Sequence, residues 1–311
     1  MGMSLRVVYM GTPEFAVPAL DSIIAAGHEV AGVFTNPDRP AGRGKKVLFT
    51  PVKQAALAHG VPVYQPQRVR KNEEALEQLH AWAPDVVVVT AYGQILPQSI
   101  LDVPRLGCVN IHASLLPKYR GAAPINWCII RGEAETGVTT MRMEAGLDTG
   151  PMLMVESTPI GPLETAGELH DRLAPMGARL IVPTLEGIAT GTITPKPQDD
   201  NVSTYAPMMS KADGRIDWTR SATDVANLIR GVNPWPGAWS THGEDRIKFH
   251  LVKPCEGDGE PGIVLQADKS LVIACGKGAV DIREIQAPGA RAMGAHDFLN
   301  GYRVEVGARF H

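Results

Sequence analysis

The feature that most restricts the fold of this chain is a short, almost entirely apolar run at residues 85–91. It reads Asp-Val-Val-Val-Val-Thr-Ala. Four consecutive β-branched residues favour a strand, and the lack of polar alternation predicts that both faces of the strand are covered. Strands covered on both faces are typical of parallel sheets that lie between layers of helices. The run therefore predicts an α/β fold.

The rest of the first 190 residues alternates between strand-like and helix-like segments. Further strands are expected at 5–10, 29–35, 108–112 and 137–143, and helices at 14–26, 51–59, 72–82 and 164–190. This alternation predicts a doubly wound, mostly parallel sheet. Ligands of such sheets bind beyond the carboxyl ends of the strands, so the loops that follow the strands are the first place to look for a site.

The pattern changes after a polar, proline-rich stretch at 191–207. One helix is expected at 221–230 and is followed by short strands with Gly-rich turns. The strands are expected at 239–241, 247–252, 262–266, 271–274, 280–285 and 302–306. This pattern favours a small OB-like β-barrel. The expected organisation is a domain at 1–190, a linker at 191–207 and a second domain at 208–311.

Composition and charge exclude several classes of protein. The 311 residues have a net charge of −3, so binding to nucleic acid would need a local basic patch. No apolar run approaches the roughly 20 residues that span a bilayer, and the first residues do not resemble a signal peptide. The four cysteines are scattered without a CxxC pair, so no structural zinc is expected. We expect a cytoplasmic protein without a bound metal.

The strongest candidate for catalysis is the segment 108–151. Asn110 and His112 alternate along a strand and leave it on the same face, and Asp148 lies in a turn between two glycines after the next strand. An amide can donate to an oxyanion, and a carboxylate can set the tautomer of an imidazole and stabilise its charged form. A lone His at a strand end is more often structural. The three residues together favour catalysis if Asp148 lies beside His112.

The same segment lacks the signal of a covalent nucleophile. Ser114 lies in Ala-Ser-Leu-Leu-Pro and not in a Gly-x-Ser-x-Gly elbow, which favours direct transfer between two bound substrates. Leu115, Leu116 and Pro117 fit core packing and the apolar wall of a ligand pocket equally well. The first strand is followed by Gly-Thr-Pro at 11–13 where dinucleotide-binding folds carry GxGxxG, so no nicotinamide cofactor is expected.

A basic loop is the second candidate feature. Residues 36–53 contain one acidic residue, Asp38, and five basic residues, which gives a local net charge of +4. The basic residues are Arg39, Arg43, Lys45, Lys46 and Lys53. Such a run is commonly a solvated loop, but near the mouth of a site it would suit a polyanionic substrate. Residues 208–311 show no comparable excess, because they hold 13 basic and 13 acidic residues.

Over essentially its whole length, the chain resembles the methionyl-tRNA formyltransferase family. The resemblance rests on Gly-Thr-Pro-Glu-Phe-Ala at 11–16, the basic loop at 37–46, the stretch from Asn110 to Ile125, Gly-Leu-Asp-Thr-Gly at 146–150, the segment 211–218 and the Asn-Pro-Trp-Pro turn at 233–236. The Asn/His/Asp set is shared with other folate-dependent formyltransferases, and the basic loop and the second domain narrow the choice. One departure is Ala290, where a second basic residue is expected.

The resemblance implies a Rossmann-like formyltransferase domain followed by an OB-like domain that binds tRNA. The implied reaction transfers the formyl group of 10-formyltetrahydrofolate to the α-amino group of methionine on initiator tRNA, for translation initiation. In this reaction Asn110, with His112, would stabilise a tetrahedral oxyanion, and Asp148 would orient His112 and help to remove a proton. A monomer is expected.

The resemblance also implies two groups of binding residues. The folate site would be lined by Ser114, Leu115, Leu116, Pro117, Ile95 and Leu96. The acceptor end of the tRNA would meet Arg43, Lys45 and Lys46. Two alternatives stay open. A formyltransferase acting on an amino-sugar nucleotide would use the same three catalytic residues with less need of a basic loop. A tRNA- or folate-binding module without catalysis would not need all three.

Overall fold

The structure is a computed structural model that describes residues 4–41 and 46–311 of the chain. The chain forms two compact units, each assembled from separate stretches of sequence. Unit 1 comprises Met1–Ala122, Gly137–Thr158 and His170–Ala206, and unit 2 comprises Ala123–Thr136, Pro159–Leu169 and Pro207–His311. Since the units are not contiguous in sequence, the expected boundaries at 190 and 208 stay a prediction.

Residues up to 206 alternate between strands and helices, as the sequence predicted. The strands are β1 (Arg6–Gly11), β2 (Glu29–Phe34), β3 (Arg39–Ala41), β4 (Lys46–Leu48), β5 (Val63–Tyr64), β6 (Val86–Thr90), β7 (Cys108–His112), β8 (Arg120–Gly121), β9 (Glu135–Arg142), β10 (Met152–Pro159) and β11 (Tyr205–Ala206). The helices are α1 (Val17–Ala25), α2 (Pro51–Ala58), α3 (Glu73–Trp82), α4 (Gln98–Leu101), α5 (Pro124–Ile130) and α6 (Ala166–Thr190).

Among the described residues, seven strands form one sheet in the order β10-β9-β7-β6-β1-β2-β5. The pairs β1–β2, β1–β6, β2–β5 and β6–β7 are parallel, and β9 runs antiparallel to β7. All residues of β6 are buried, because the apolar run at 85–91 lies in the middle of the sheet. The predicted doubly wound, mostly parallel α/β sheet is confirmed. The strand β10 was not predicted from the sequence.

Local signals explain where several of these elements begin. Asn72 caps α3, because its side chain accepts a hydrogen bond from Ala75 N at 3.1 Å. Thr50 caps α2 in the same way, through Lys53 N, and Pro51 occupies the first helical position. The helix expected at 14–26 instead opens with a 3-10 turn before α1.

The parallel pairing brings the carboxyl ends of β1, β6 and β7 to one edge of the sheet. Gly11 at the end of β1 lies opposite Thr90 at the end of β6, and Val89 lies opposite Asn110 of β7. The loops that follow these strands therefore leave the sheet together, which places the segment after Asn110 at the edge where α/β sheets bind ligands.

The remaining part of the chain forms a small β domain within unit 2. Its helices are α7 (Ala222–Gly231) and α8 (Ala295–Gly301). Its strands are β12 (Ala238–His242), β13 (Asp245–Cys255), β14 (Val264–Ala267), β15 (Leu271–Ala274), β16 (Ala279–Gln286) and β17 (Met293–Gly294). They form an antiparallel sheet in the order β12-β13-β16-β15-β14, with β17 on β16.

The end of the chain connects the two edges of this antiparallel sheet. Thr241 of β12 exchanges backbone hydrogen bonds of 3.0 and 2.9 Å with His311. On the other side, Phe310 N donates to Gly262 O at 2.8 Å, and Val264 N of β14 donates to Ala308 O at 2.8 Å. The sheet is thereby closed, as expected for a small barrel.

The last expected strand, at 302–306, is wrong. The chain there leaves α8 without entering the sheet, and Val306 is 66% exposed. Phe310 is buried against Trp218 and Phe249, so it is the residue that anchors the closing segment. The residues that pair with the sheet, 308–311, follow a few positions later in the chain.

Among the helices of residues 4–41 and 46–311, none has both the length and the apolar character of a membrane-spanning segment.

Candidate active site

The structure brings the three predicted catalytic side chains together at the end of β7. Asn110 Nδ2 donates to Asp148 Oδ1 at 3.3 Å, and His112 Nδ1 lies 3.7 Å from Asp148 Oδ2. Both contacts arise because Asn110 and His112 are two residues apart on one strand and so share a face. The His112 and Asp148 side chains are only 6% and 12% exposed. Both side chains are therefore largely shielded from water, and the catalytic roles of the three residues stay a prediction.

The turn that carries Asp148 has a restricted backbone. Asp148 has a φ of 52°, in the left-handed region that Asp tolerates better than most residues. Gly150 is needed because a Cβ at this position would lie 1.8 Å from the carbonyl oxygen of Arg142. The backbone N–H of Gly121 donates to Asp148 Oδ2 at 2.9 Å. The carboxylate thus accepts hydrogen bonds from an amide side chain and a backbone N–H.

The tautomer of His112 is set by a backbone carbonyl. His112 Nε2 lies 2.9 Å from Tyr119 O, and a carbonyl oxygen can only accept, so Nε2 carries the proton. In the neutral imidazole the lone pair is then on Nδ1, the nitrogen that faces Asp148. The expectation that Asp148 sets the tautomer is wrong, because 3.7 Å is too long for a hydrogen bond. Asp148 instead lies where it can stabilise a protonated imidazole.

The loop after β7 is held by its own polar groups. Ser114 is fully buried, its Oγ donates to Lys118 O at 2.6 Å, and its carbonyl oxygen accepts from Thr139 Oγ1 at 2.7 Å. The same Thr139 hydroxyl accepts from Leu116 N at 3.2 Å. The side chain of Ser114 thus supports the loop. The sequence pattern did not indicate a role for Thr139.

The residues predicted to line a folate site differ in exposure. Leu96 and Leu116 are buried, Leu115 and Pro117 are half-buried, and Ile95 is 69% exposed. Accessible apolar surface is therefore offered by Ile95, Leu115 and Pro117. Contacts of this set and of Ser114 with folate stay a prediction.

A segment that the sequence analysis missed lies along this site. We call residues 196–206 the strap. At its start, the backbones of Lys196 and Met152 exchange two hydrogen bonds of 2.8 Å. At its end, β11 pairs in parallel with β8. The expected linker at 191–207 thus contains residues that are bound along unit 1. Its polar, proline-rich composition is shared by linkers and by such bound segments, so composition alone could not separate them.

The strap also contacts the loop between His112 and Gly121. Tyr119 N donates to Thr204 Oγ1 at 2.8 Å, and the Arg120 guanidinium donates to Gln198 Oε1 at 3.0 Å and to Asp200 Oδ1 at 2.8 Å. Tyr119 provides the carbonyl that orients His112. The strap is therefore connected to the imidazole through a single residue.

Only part of the basic loop lies within the described residues. Arg43 and Lys45 lie outside the described residues, and of Lys46 only the backbone is described, in β4 opposite Ala41. Lys53 is paired with Asp38 and donates to Gln65 Oε1 at 2.7 Å. Burial tends to raise the pKa of Asp38, but hydrogen bonds from Lys53 and Gln65 outweigh it and hold the pKa below its usual range. Lys53 therefore neutralises Asp38, the one acidic residue of the segment 36–53, so this pair adds nothing to the net charge of the segment.

Other reactive groups near the site do not provide an alternative chemistry. Cys108 begins β7, but burial raises the pKa of its thiol to about 12, so it is not a thiolate at neutral pH. Among residues 4–41 and 46–311, no group of His, Cys, Asp and Glu side chains is arranged to hold a metal ion. What the site offers is an amide donor, an imidazole and a carboxylate.

Family models match both parts of the chain. The model described as formyl transferase matches residues 5–185. The model described as formyl transferase, C-terminal domain, matches residues 208–303. The first match includes β7, the Asp148 turn and most of α6, and the second includes nearly all of the β domain.

Solved structures of similar fold include formyltransferases. WlaRD, a sugar 3N-formyl transferase solved in the presence of dTDP and 5-N-formyl-THF, has a TM-score of 0.70 at 19% identity and covers 93% of this chain and 100% of that chain. HypX from Aquifex aeolicus in complex with tetrahydrofolic acid has a TM-score of 0.65 at 17% identity and covers 98% of this chain and 48% of that chain. At these identities the likeness shows the fold alone.

Curated relatives share about half of the residues over nearly the whole length. The methionyl-tRNA formyltransferase of Citrifermentans bemidjiense is 50% identical over 304 residues, which cover 97% of this chain and 95% of that protein. The methionyl-tRNA formyltransferase of Aromatoleum aromaticum is 52% identical over 307 residues, which cover 98% of this chain and 97% of that protein. The chain therefore belongs to the formyltransferase family and, within it, to the methionyl-tRNA formyltransferases.

Proposed function

We propose that this chain transfers the formyl group of 10-formyltetrahydrofolate to the α-amino group of methionine on initiator methionyl-tRNA. The observation that carries the proposal is the convergence of Asn110, His112 and Asp148 at the carboxyl end of β7. The acceptor is supported by full-length relatives of about 50% identity that are named methionyl-tRNA formyltransferases.

The oxyanion is formed when the amine attacks the formyl carbon. Asn110 Nδ2 has two hydrogens, and its bond to Asp148 uses one of them. The other hydrogen can donate to the formyl oxygen as it gains negative charge. Because the bond to Asp148 already orients this amide, little reorganisation is needed in the transition state, and such preorganised donors account for large rate effects.

The proton of the attacking amine can pass to His112. Its Nδ1 is the unprotonated nitrogen, since Nε2 donates to Tyr119 O. The imidazolium that results lies 3.7 Å from the Asp148 carboxylate, in a setting where water screens the attraction little. As the tetrahedral intermediate collapses, the bond between the formyl carbon and N10 of the folate breaks. The proton on His112 then goes to N10 of the leaving tetrahydrofolate.

The test of the proposed function compares acceptors. Purified protein is incubated with 10-formyltetrahydrofolate and either initiator methionyl-tRNA or an amino-sugar nucleotide. We expect formyl-methionine on the tRNA and no formylated sugar. Formyl transfer to the sugar alone would support the alternative that WlaRD represents, and binding of either substrate without transfer would support a non-catalytic module. We also propose that the protein acts as a monomer in the cytoplasm, which sedimentation and fractionation can check.

Replacement of Arg43 by Ala is expected to raise the KM for methionyl-tRNA several-fold and to leave the KM for the formyl donor unchanged. The reason is that a cation in the loop contributes to tRNA affinity by binding phosphates of the tRNA. The plot of log affinity against log salt concentration should therefore become less steep by about one unit. Steady-state kinetics at several salt concentrations measure both effects.

The matched control for this prediction is Arg105→Ala. Arg105 is 60% exposed and pairs with Asp85, just before β6 begins, so it lies at the opposite edge of the sheet. We expect wild-type kinetics with both substrates. A raised KM for the formyl donor in the Arg43 variant would show that the basic loop has been assigned to the wrong substrate.

A further inference from the structure

The amide of Gln198 in the strap is fully engaged with the elements around Asp148. Its Nε2 donates to the backbone carbonyl oxygens of Asp148 at 2.8 Å and Gly150 at 2.7 Å. Its Oε1 accepts from Arg120 Nε at 3.0 Å. One side chain therefore joins the turn that carries the carboxylate to the strand β8.

Both of these elements determine where the Asp148 carboxylate lies. The turn sets the direction of the side chain, with Asp148 at a φ of 52°. The strand β8 supplies the N–H of Gly121, next to Arg120, that donates to Asp148 Oδ2 at 2.9 Å. A shift of either element would move the carboxylate away from Asn110 and His112.

We propose that Gln198 is a positioning residue, which holds the Asp148 carboxylate against Asn110 and His112 during formyl transfer. The proposal rests on the proposed function, and it adds a residue that acts without contacting either substrate. It assigns to the strap a role in catalysis: the strap clamps the Asp148 turn and β8 in the arrangement that the reaction requires.

The strap stays attached when the Gln198 amide is removed. Lys196 is bound to Met152 through the backbone, and Tyr205 and Ala206 are bound to β8, on either side of Gln198. A loss of activity in a Gln198 variant can therefore be separated from a loss of folding.

The first experiment is Gln198→Ala with Asn201→Ala as its control. Asn201 is also an amide on the strap, but its side chain is exposed and donates to Asp199 Oδ1 at 2.9 Å. We expect Gln198→Ala to lower kcat by about 10- to 100-fold, the scale of a small misplacement of a catalytic group. The KM values should change little, and Asn201→Ala should match the wild type. A wild-type kcat in Gln198→Ala would overturn the proposal.

Two further variants identify the route of the effect. Gln198→Glu keeps an acceptor for Arg120 but cannot donate to the two carbonyl oxygens, so we expect a loss as large as in Gln198→Ala. In an Asp148→Asn background, Gln198→Ala should lower the residual rate no further, because the group that it positions is already disabled. The residual rates are measured with enzyme in excess over hours.

An equal loss in both backgrounds, or full activity of Gln198→Glu, would overturn the proposal in favour of a general structural role. Failure of the wild type to formylate methionyl-tRNA at all would overturn the proposed function instead. The two failures are thus distinguished by the wild-type rate.

Discussion

Asp148→Asn is expected to lower the rate of formyl transfer by about 1000-fold while the protein stays folded. The substitution keeps the shape of the side chain but removes the charge that faces Nδ1 of His112 at 3.7 Å. It also leaves one acceptor oxygen for two donors, Asn110 Nδ2 and Gly121 N, so one of them meets an NH₂ group. Single-turnover formylation and thermal unfolding measure the two parts of this prediction.

Glu144→Gln is the matched control for Asp148→Asn. Glu144 is an exposed carboxylate in the same connection between β9 and β10, and its substitution removes the same charge. We expect a rate within about two-fold of wild type, as for surface positions generally. If both variants lost activity equally, the effect of Asp148 would be one of local charge and not of its position beside His112.

Gly121→Ala is expected to reduce both stability and turnover. Gly121 has a φ of 114°, and a Cβ here would lie 2.6 Å from the carbonyl oxygen of Ala206 in β11. The left-handed backbone costs about 1–2 kcal/mol for a residue with a Cβ, and the steric overlap adds a similar amount, for a total of about 3 kcal/mol. The movement that relieves the overlap also displaces the N–H that donates to Asp148. Urea unfolding and kcat are the measurements.

Gly27→Ala measures the free-energy cost of a left-handed backbone conformation without any steric overlap of the added Cβ. Gly27 has a φ of 83°, and a Cβ there would meet nothing within 4 Å. We expect a loss of about 1 kcal/mol in the free energy of unfolding, with unchanged turnover. If Gly121→Ala were no worse than Gly27→Ala, the contact between β8 and the strap would not matter for the site.

The fold of the sheet was predictable because it depends on local patterns. The apolar run at 85–91 predicted a strand covered on both faces, and β6 is buried throughout. Asn72 and Thr50 marked helix starts through side chains that satisfy backbone N–H groups. The closing segment of the β domain was missed, because its pairing with Thr241 and Gly262 depends on residues far away in sequence.

The candidate site likewise contains features that the sequence predicts and features that it does not. Asn110 and His112 could be predicted to share a face from the strand period alone, and the glycines beside Asp148 indicated a tight turn. The tautomer of His112 could not be predicted, because it depends on the carbonyl of Tyr119, which any residue would supply. Gln198 could not be predicted either, since its three bonds reach residues 48 to 78 positions earlier in the chain.

The central claim is that Asn110, with His112 and Asp148, stabilises the transition state of formyl transfer to methionyl-tRNA. The most direct measurement is the single-turnover rate of Asn110→Ala with 10-formyltetrahydrofolate and initiator methionyl-tRNA, both at saturating concentration. We predict a rate about 100- to 1000-fold below that of the wild type, with an unchanged thermal unfolding midpoint, as for the loss of an oxyanion donor. A rate equal to that of the wild type would contradict the account.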